Sequence, residues 1–194
     1  MFDGLRVGFA ITGSFCNFDK ILTLMQELSM NGADILPIFS EHVSEMDTRF
    51  MSKTDFFERV KFIADKDPIC TIQGAEPIGP KKMTDIILVA PCTGNTLAKL
   101  AYSITDTPVT MACKSHLRSQ KPIVLAISTN DGLSGSAKNI GLLLNTKYYF
   151  FVPFGQDDPI NKPNSLVADY SKTETTIIAA LEGKQMQPVL LGKN

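Results

Sequence analysis

Ile86-Ile87-Leu88-Val89 is a run of four bulky apolar residues with nothing polar between them. Such a strand is apolar toward both faces, so it belongs inside a parallel sheet that helices cover on both sides. It hands over to Ala90-Pro91-Cys92-Thr93-Gly94-Asn95-Thr96-Leu97-Ala98-Lys99, a small polar turn leading into a helix-like stretch from Leu97 to Ile104. Open α/β sheets bind their ligands at such places, outside the carboxyl ends of the strands. The turn offers two hydroxyls, a side-chain amide and free backbone N–H groups at a helix start. That inventory suits an anion or a polar heteroaromatic ring.

The rest of the chain repeats the alternation. Arg6–Ile11 reads as a first strand and Thr12-Gly13-Ser14 as its turn. Phe18, Ile21, Leu22, Met25 and Leu28 stand at helical spacing, and Asn31-Gly32 ends that helix with a left-handed glycine cap. Asp34–Phe39 is a second strand. Ser52 or Thr54 starts a helix that runs to about Ala64. The segment from Asp65 to Lys82, with Pro68, Pro77 and Pro80, reads as irregular. Further elements are a helix over Pro108–Arg118, a strand over 122–127, a helix over Ser136–Leu144, a strand over Tyr148–Val152 and a last helix over Thr173–Leu181. Gly155 to Pro163 reads as loop, and Gln187 to Leu191 as a short strand or an arm. The expected architecture is α/β: one doubly wound parallel sheet with right-handed crossovers, a single domain over residues 1–194. The proline-punctuated stretch 153–170 is long enough to serve as a lid or an arm.

Composition narrows the function. The 194 residues are 44% hydrophobic and 20% charged, with a formal net charge of −1. Acids and bases are interspersed, so there is no basic stripe for nucleic acid. No apolar segment reaches the roughly 20 residues of a membrane span. The start of the chain lacks a signal-peptide layout, and the expected location is cytoplasmic. The four cysteines show no C-x-x-C spacing, and no cluster has metal-ligand spacing, so no metal site is expected. Cys92 is a small buried packing residue or a reactive thiol. His42 is a general base near the strand ends or a surface histidine. His116, between Lys114 and Arg118, reads as a cation complementing a helix carboxyl end. Asp157-Asp158 is a solvated turn or part of a metal site.

Four polar turns follow strands: Thr12-Gly13-Ser14, Ser40, the turn at Thr93-Gly94-Asn95-Thr96, and Ser128-Thr129-Asn130-Asp131-Gly132. Together they make a polar, uncharged mouth suited to a planar cofactor with a phosphate tail. There is no G-x-S-x-G elbow and no Walker loop.

Thr12-Gly13-Ser14, then Ala90 to Ala101, then Asp106, resembles the flavoprotein family of FMN-binding cysteine decarboxylases and flavin prenyltransferases. The resemblance implies a Rossmann-like flavoprotein fold and bound FMN. By motif matching it implies flavin contacts at Thr12, Gly13, Ser14, Ser40, Thr93, Gly94, Asn95 and Thr96, and Ser128 joins them from the fourth turn. Asn95 matches the residue that contacts the reacting substrate and is the implied catalytic residue. Two departures stand out. The decarboxylases carry a histidine at the place matching the neighbourhood of Pro77, where this chain has none, and their methionine-containing turn is replaced by Ser128-Thr129-Asn130-Asp131.

Three further segments sharpen the resemblance: Ala75 to Pro80, Ala126 to Asp131, and Pro153 to Pro159 with Lys162-Pro163-Asn164-Ser165. They are similar to a branch of the family that works as one half of a two-subunit oxidoreductase in sporulating bacteria. That similarity implies a dehydrogenase-like partner subunit carrying NADP, a small dicarboxylate substrate, a homo-oligomer and a mother-cell location. Asn95, Lys114, Arg118 and Asn164 are the candidate donors to the carboxylates. A stand-alone decarboxylase or prenyltransferase, and a non-catalytic subunit that keeps the pocket, are the other readings.

Overall fold

The computed structural model describes residues 1–192. Its strands and helices, in chain order, are β1 (Arg6–Ile11), α1 (Phe18–Met30), β2 (Asp34–Phe39), α2 (Glu41–Glu45), α3 (Lys53–Ala64), α4 (Ile72–Ala75), β3 (Ile86–Cys92), α5 (Gly94–Ala101), α6 (Pro108–Leu117), β4 (Ile123–Thr129), α7 (Ala137–Leu144), β5 (Tyr149–Phe151), β6 (Phe154–Gly155), β7 (Leu166–Ala168) and α8 (Thr173–Leu181). The last two residues of the single domain expected over 1–194 lie outside the described residues.

β3 is the central strand, and all seven of its residues are buried. β1 and β4 flank it in parallel, with Val7 opposite Ile86 and Ile87 opposite Ile123. β2 lies outside β1, with Arg6 opposite Asp34. The order β2-β1-β3-β4 reverses direction between β1 and β3, which is the switch point where doubly wound sheets open a crevice. The β3–β4 register shifts between Val89 and Cys92. Pro91 lies in that interval and has no N–H to give the ladder, so regular pairing stops as the chain approaches the turn.

The sheet is mixed rather than wholly parallel. β4 pairs with β5 in parallel over Ile123–Leu125, then with β7 antiparallel at Ser128 and Thr129. β6 pairs antiparallel with β7, and the tail lies beside Phe154, which donates to Val189 O and accepts from Leu191 N–H. Strands of two and three residues have no readable period, which is why the stretch around residue 155 reads as loop. The same brevity hides α2 and α4, the latter followed by a 3₁₀ turn at Glu76–Ile78 inside the segment expected to be irregular.

The helix ends follow local chemistry. Ser52 Oγ accepts from Asp55 N–H, and Thr107 and Thr110 form a reciprocal capping box before α6. Gly32 leaves α1 with φ +95°, a conformation open to glycine at little cost. α1 and α3 are joined by stacked rings, Phe18 on Phe56 at 3.9 Å. At the amino end of the sheet, Asp85 accepts from Arg6 Nη2 at 2.7 Å and from Lys121 Nζ at 3.0 Å. This binds β1 to the segments entering β3 and β4. No helix among the described residues is long and apolar enough to cross a membrane.

Candidate functional site

The carboxyl ends of β1, β3 and β4 converge on a cavity of about 430 Å³. That is within the usual range for small-ligand sites. Gly13 and Ser14 come to it from β1, Thr93 from β3, and Ser128 and Thr129 from β4. The β6–β7 connection adds Asp157, Lys162 and Ser165.

The nine cofactor-contact candidates divide into groups. Gly13, Ser14, Thr93 and Ser128 line the cavity. Thr12 is buried and structural: its hydroxyl donates to Pro91 O at 2.6 Å and accepts from Thr93 N–H at 3.2 Å, tying β1 to β3. Thr96 is also buried, with its hydroxyl 3.2 Å from that of Thr93. Ser40, beside the end of β1, is buried and its hydroxyl has no hydrogen-bond partner among the described residues. Asn95 does not line the cavity; it is exposed in the first turn of α5, two residues beyond Thr93. Gly94 stands against the turn after β4. A Cβ there would lie 2.6 Å from Ser136 Oγ and 2.7 Å from both Asp131 Oδ1 and Thr129 Oγ. Asp131 Oδ1 accepts from the Thr129 hydroxyl at 2.5 Å and the Ser136 hydroxyl at 2.9 Å, so the group Gly94 faces is fixed.

The expectation of an uncharged mouth is corrected. Lys20, Asp157 and Lys162 line the cavity, with Lys162 Nζ 3.7 Å from Asp157. Burial opposes ionisation of Asp157. The Ser165 hydroxyl, backbone N–H groups and Lys162 nevertheless hold its carboxyl below the ordinary value. Asp158 does not line the cavity and accepts from Asn161. No motif or spacing hints that residues so far apart as Lys20 and Lys162 meet.

Sequence reasoning also misses Asn17. It is buried, and its side-chain N–H₂ donates to both Ser14 Oγ and Ser128 Oγ, each at 2.9 Å. A signal exists: Phe15–Asn17 is a 3₁₀ turn, where residues three apart eclipse, so a polar side chain three after Ser14 shares its face.

Other assignments move away from the site. Lys114 and Arg118 line a separate cavity of about 370 Å³ with Tyr149, which pairs with Ile123 at the amino end of β4. They are therefore at the opposite end of the sheet from the polar turns. Asn164 lies outside the cavity lining and accepts from Leu133 N–H through its backbone carbonyl. Asp106 pairs with Lys99 at 2.7 Å. His42 is exposed on α2. Cys92 is fully buried, and burial pushes its thiol well above the ordinary value, which suits packing and not nucleophilic chemistry. His116 is not a dipole-complementing cation. It is buried, and burial pushes its imidazole down to about 4.

The profile of the Flavoprotein family matches residues 1–174. The B subunit of dipicolinate synthase from Bacillus subtilis (strain 168) is 42% identical over 188 residues, which are 97% of this chain and 94% of that one. The crystal structure of the same type of subunit from Bacillus halodurans C is 43% identical and superposes with a TM-score of 0.91 over 100% of this chain and 99% of that one. The FMN-dependent cysteine decarboxylase SpaF has the same fold at 17% identity, with a TM-score of 0.70 over 93% of this chain and 99% of that one.

Proposed function

The chain belongs to the flavoprotein family, and from that premise we propose that it is the flavin-holding B subunit of a dipicolinate synthase. With a dehydrogenase-like partner subunit it oxidises dihydrodipicolinate to dipicolinate in the mother-cell cytoplasm of a sporulating bacterium, as a homo-oligomer. The observation that carries this reading is the polar cavity at the carboxyl ends of β1, β3 and β4, in a chain 42% identical to the Bacillus subtilis protein along nearly its whole length.

The residues fit FMN. The cavity rim brings hydroxyl donors from three strand ends, Lys20 offers a cation for a phosphate, and the buried Ser40 hydroxyl lacks a partner. Gly13, Ser14, Thr93 and Ser128 would hold the cofactor. Thr12, Gly94 and Thr96 support that surface from behind by fixing the turns. When bound, FMN would supply a two-electron acceptor, and NADP on the partner subunit would supply another.

Aromatising the dihydropyridine ring removes a hydride equivalent and a proton. This chain's part is to position the ring and exclude water. With Lys20 given to the phosphate, Lys162 is the cation left for the substrate's carboxylates, and the β6–β7 connection, part of the 153–170 arm, closes over it as a lid. Asn95, exposed two residues beyond the cavity-lining Thr93, orients the substrate. Among the described residues lining the cavity there is no strong base, so the proton leaves to water or to the partner.

Two measurements test the reading. Titration with FMN is expected to produce a bound-flavin absorbance band and quenched flavin fluorescence. Dipicolinate formation, assayed with each of the two subunits omitted in turn, is expected to need both. A protein that takes up no flavin, or undiminished synthesis when this chain is left out, would overturn the proposal. Asn95→Ala is expected to lower synthesis by about tenfold or more with flavin uptake retained. Unchanged turnover in that variant removes Asn95 from the site.

A further inference from the structure

Ser14 Oγ, Ser128 Oγ and Asn17 Nδ2 form a triangle with every edge 2.9 Å long. Two polar atoms at that distance need a hydrogen between them. The three groups own four hydrogens: two on the amide nitrogen and one on each hydroxyl. The amide hydrogens fill two edges, and one hydroxyl hydrogen fills the edge between the serines. One hydroxyl hydrogen is left over.

The orientation of the carboxamide follows from the same count. Turned about, Asn17 would place its oxygen at the corner. Three oxygens would then share two hydrogens, and one edge would be an unbridged contact between lone pairs. Only the N–H₂ corner satisfies all three edges.

Inside the triangle the surplus hydrogen has no acceptor left. The serine that carries it accepts from Asn17 and from the other serine, so both its lone pairs are occupied. Outside it stand the weak Cys16 sulfur, 4.0 Å from Ser14 Oγ, and the Tyr170 phenol beside Ser128. The Tyr170 hydroxyl is buried, has no other partner among the described residues, and as a phenol donates more readily than it accepts, so it gives its hydrogen to Ser128 Oγ; Ser128 then donates to Ser14, and the surplus hydrogen is Ser14's. Both serines line the cavity.

We infer that Asn17 is a positioning residue: it locks the Ser14–Ser128 pair so that one hydroxyl donates into the cavity and takes a ligand by an sp² acceptor atom. That acceptor is a carbonyl oxygen or ring nitrogen of the cofactor, or a carboxylate oxygen of the substrate. The inference rests on the flavin and dicarboxylate reading for the identity of the ligand, and on the triangle alone for the donor.

The test compares Asn17→Asp and Asn17→Ala by titration with FMN, uncharged riboflavin and dipicolinate, on protein shown to be folded by circular dichroism. Aspartate has the shape of asparagine but only accepts, so it draws both serine hydrogens and leaves none for the ligand. Alanine removes the corner and lets the hydroxyls turn. Affinity is expected to fall by about tenfold or more in Asn17→Asp and by only about threefold in Asn17→Ala. A packing role predicts the reverse order, because alanine leaves a hole and aspartate does not. Repulsion by the new charge predicts that riboflavin binding is spared; reversal of the donor predicts that it is not.

The arm that responds identifies the source of the acceptor. Wild-type protein that binds dipicolinate but no flavin, with the order of the variants kept, overturns the flavin reading and upholds the role of Asn17. Wild-type affinity in Asn17→Asp, a larger loss in Asn17→Ala, or no binding of any probe by the wild-type protein overturns the inference.

Discussion

Alanine at position 79 is expected to destabilise the protein by at least about 3 kcal/mol, at the upper end of what overpacking costs. A Cβ on Gly79 would fall 1.9 Å from the Ser115 carbonyl oxygen and 2.6 Å from its carbon, atoms of helix α6 that cannot rotate away. The contact is also wired by hydrogen bonds. Ser115 Oγ accepts from Gly79 N–H at 2.8 Å and donates to Glu76 O at 2.5 Å. Moving the 3₁₀ turn outward to admit a methyl group would break both bonds in a buried place, where unpaired groups are costly. Urea unfolding followed by circular dichroism measures the effect. A midpoint equal to that of the wild type would mean that the turn and α6 separate freely.

Acid is expected to remove about 3 kcal/mol of stability between pH 6.5 and pH 4 through His116. Its Nε2 lies 3.0 Å from Pro122 O, which can only accept, so Nε2 carries the hydrogen. Nδ1, 2.9 Å from Thr84 Oγ, then accepts from that hydroxyl. The neutral ring is fully satisfied, and a second proton would have to be held in the core. In the unfolded chain the imidazole takes its proton near pH 6.5; in the folded chain burial delays this to about pH 4. The unfolded state therefore binds more protons throughout that window, and stability falls as the pH falls. Below pH 4 both states are protonated and this contribution stays lost. Asp85 nearby does not share the window, because its hydrogen bond to Arg6, helped by Lys121 and opposed by burial, holds its carboxyl well below the usual range. Unfolding curves at pH 7 and pH 4.5 check the prediction. His116→Gln is expected to flatten the slope, and an equal slope in that variant would place the titration elsewhere.

The order of the long elements is legible in the sequence because burial imposes a period on them. β3 is apolar on both faces, and α1 shows its core side at Ile21, Leu22, Met25 and Leu28. The turns after strands are legible too, since the doubly wound topology sends them to one edge. What is not legible depends on contacts between distant segments. Lys162 and Lys20 meet only through the β6–β7 connection, whose strands are too short to show a period. Lys114 and Arg118 look like good carboxylate donors in sequence, yet helical phase does not say which end of a sheet a residue serves. His116 reads as charged because its neighbours Lys114 and Arg118 are; its burial depends on Thr84 and Pro122, residues of other segments.

The close approach of Gly94 to Asp131 changes where an anion can settle. The start of α5 gathers the partial positive charge of that helix, which by itself makes it a natural seat for a phosphate. A carboxylate belonging to the chain already stands there, held by Thr129 and Ser136. A second negative group at that end would meet like charge as well as a filled space. Attraction for an incoming anion is therefore shifted across the crevice, to the turn after β1 and to Lys20. On the proposed reading helix α5 is a neutralised wall, against which the flat, weakly charged ring of the cofactor would rest.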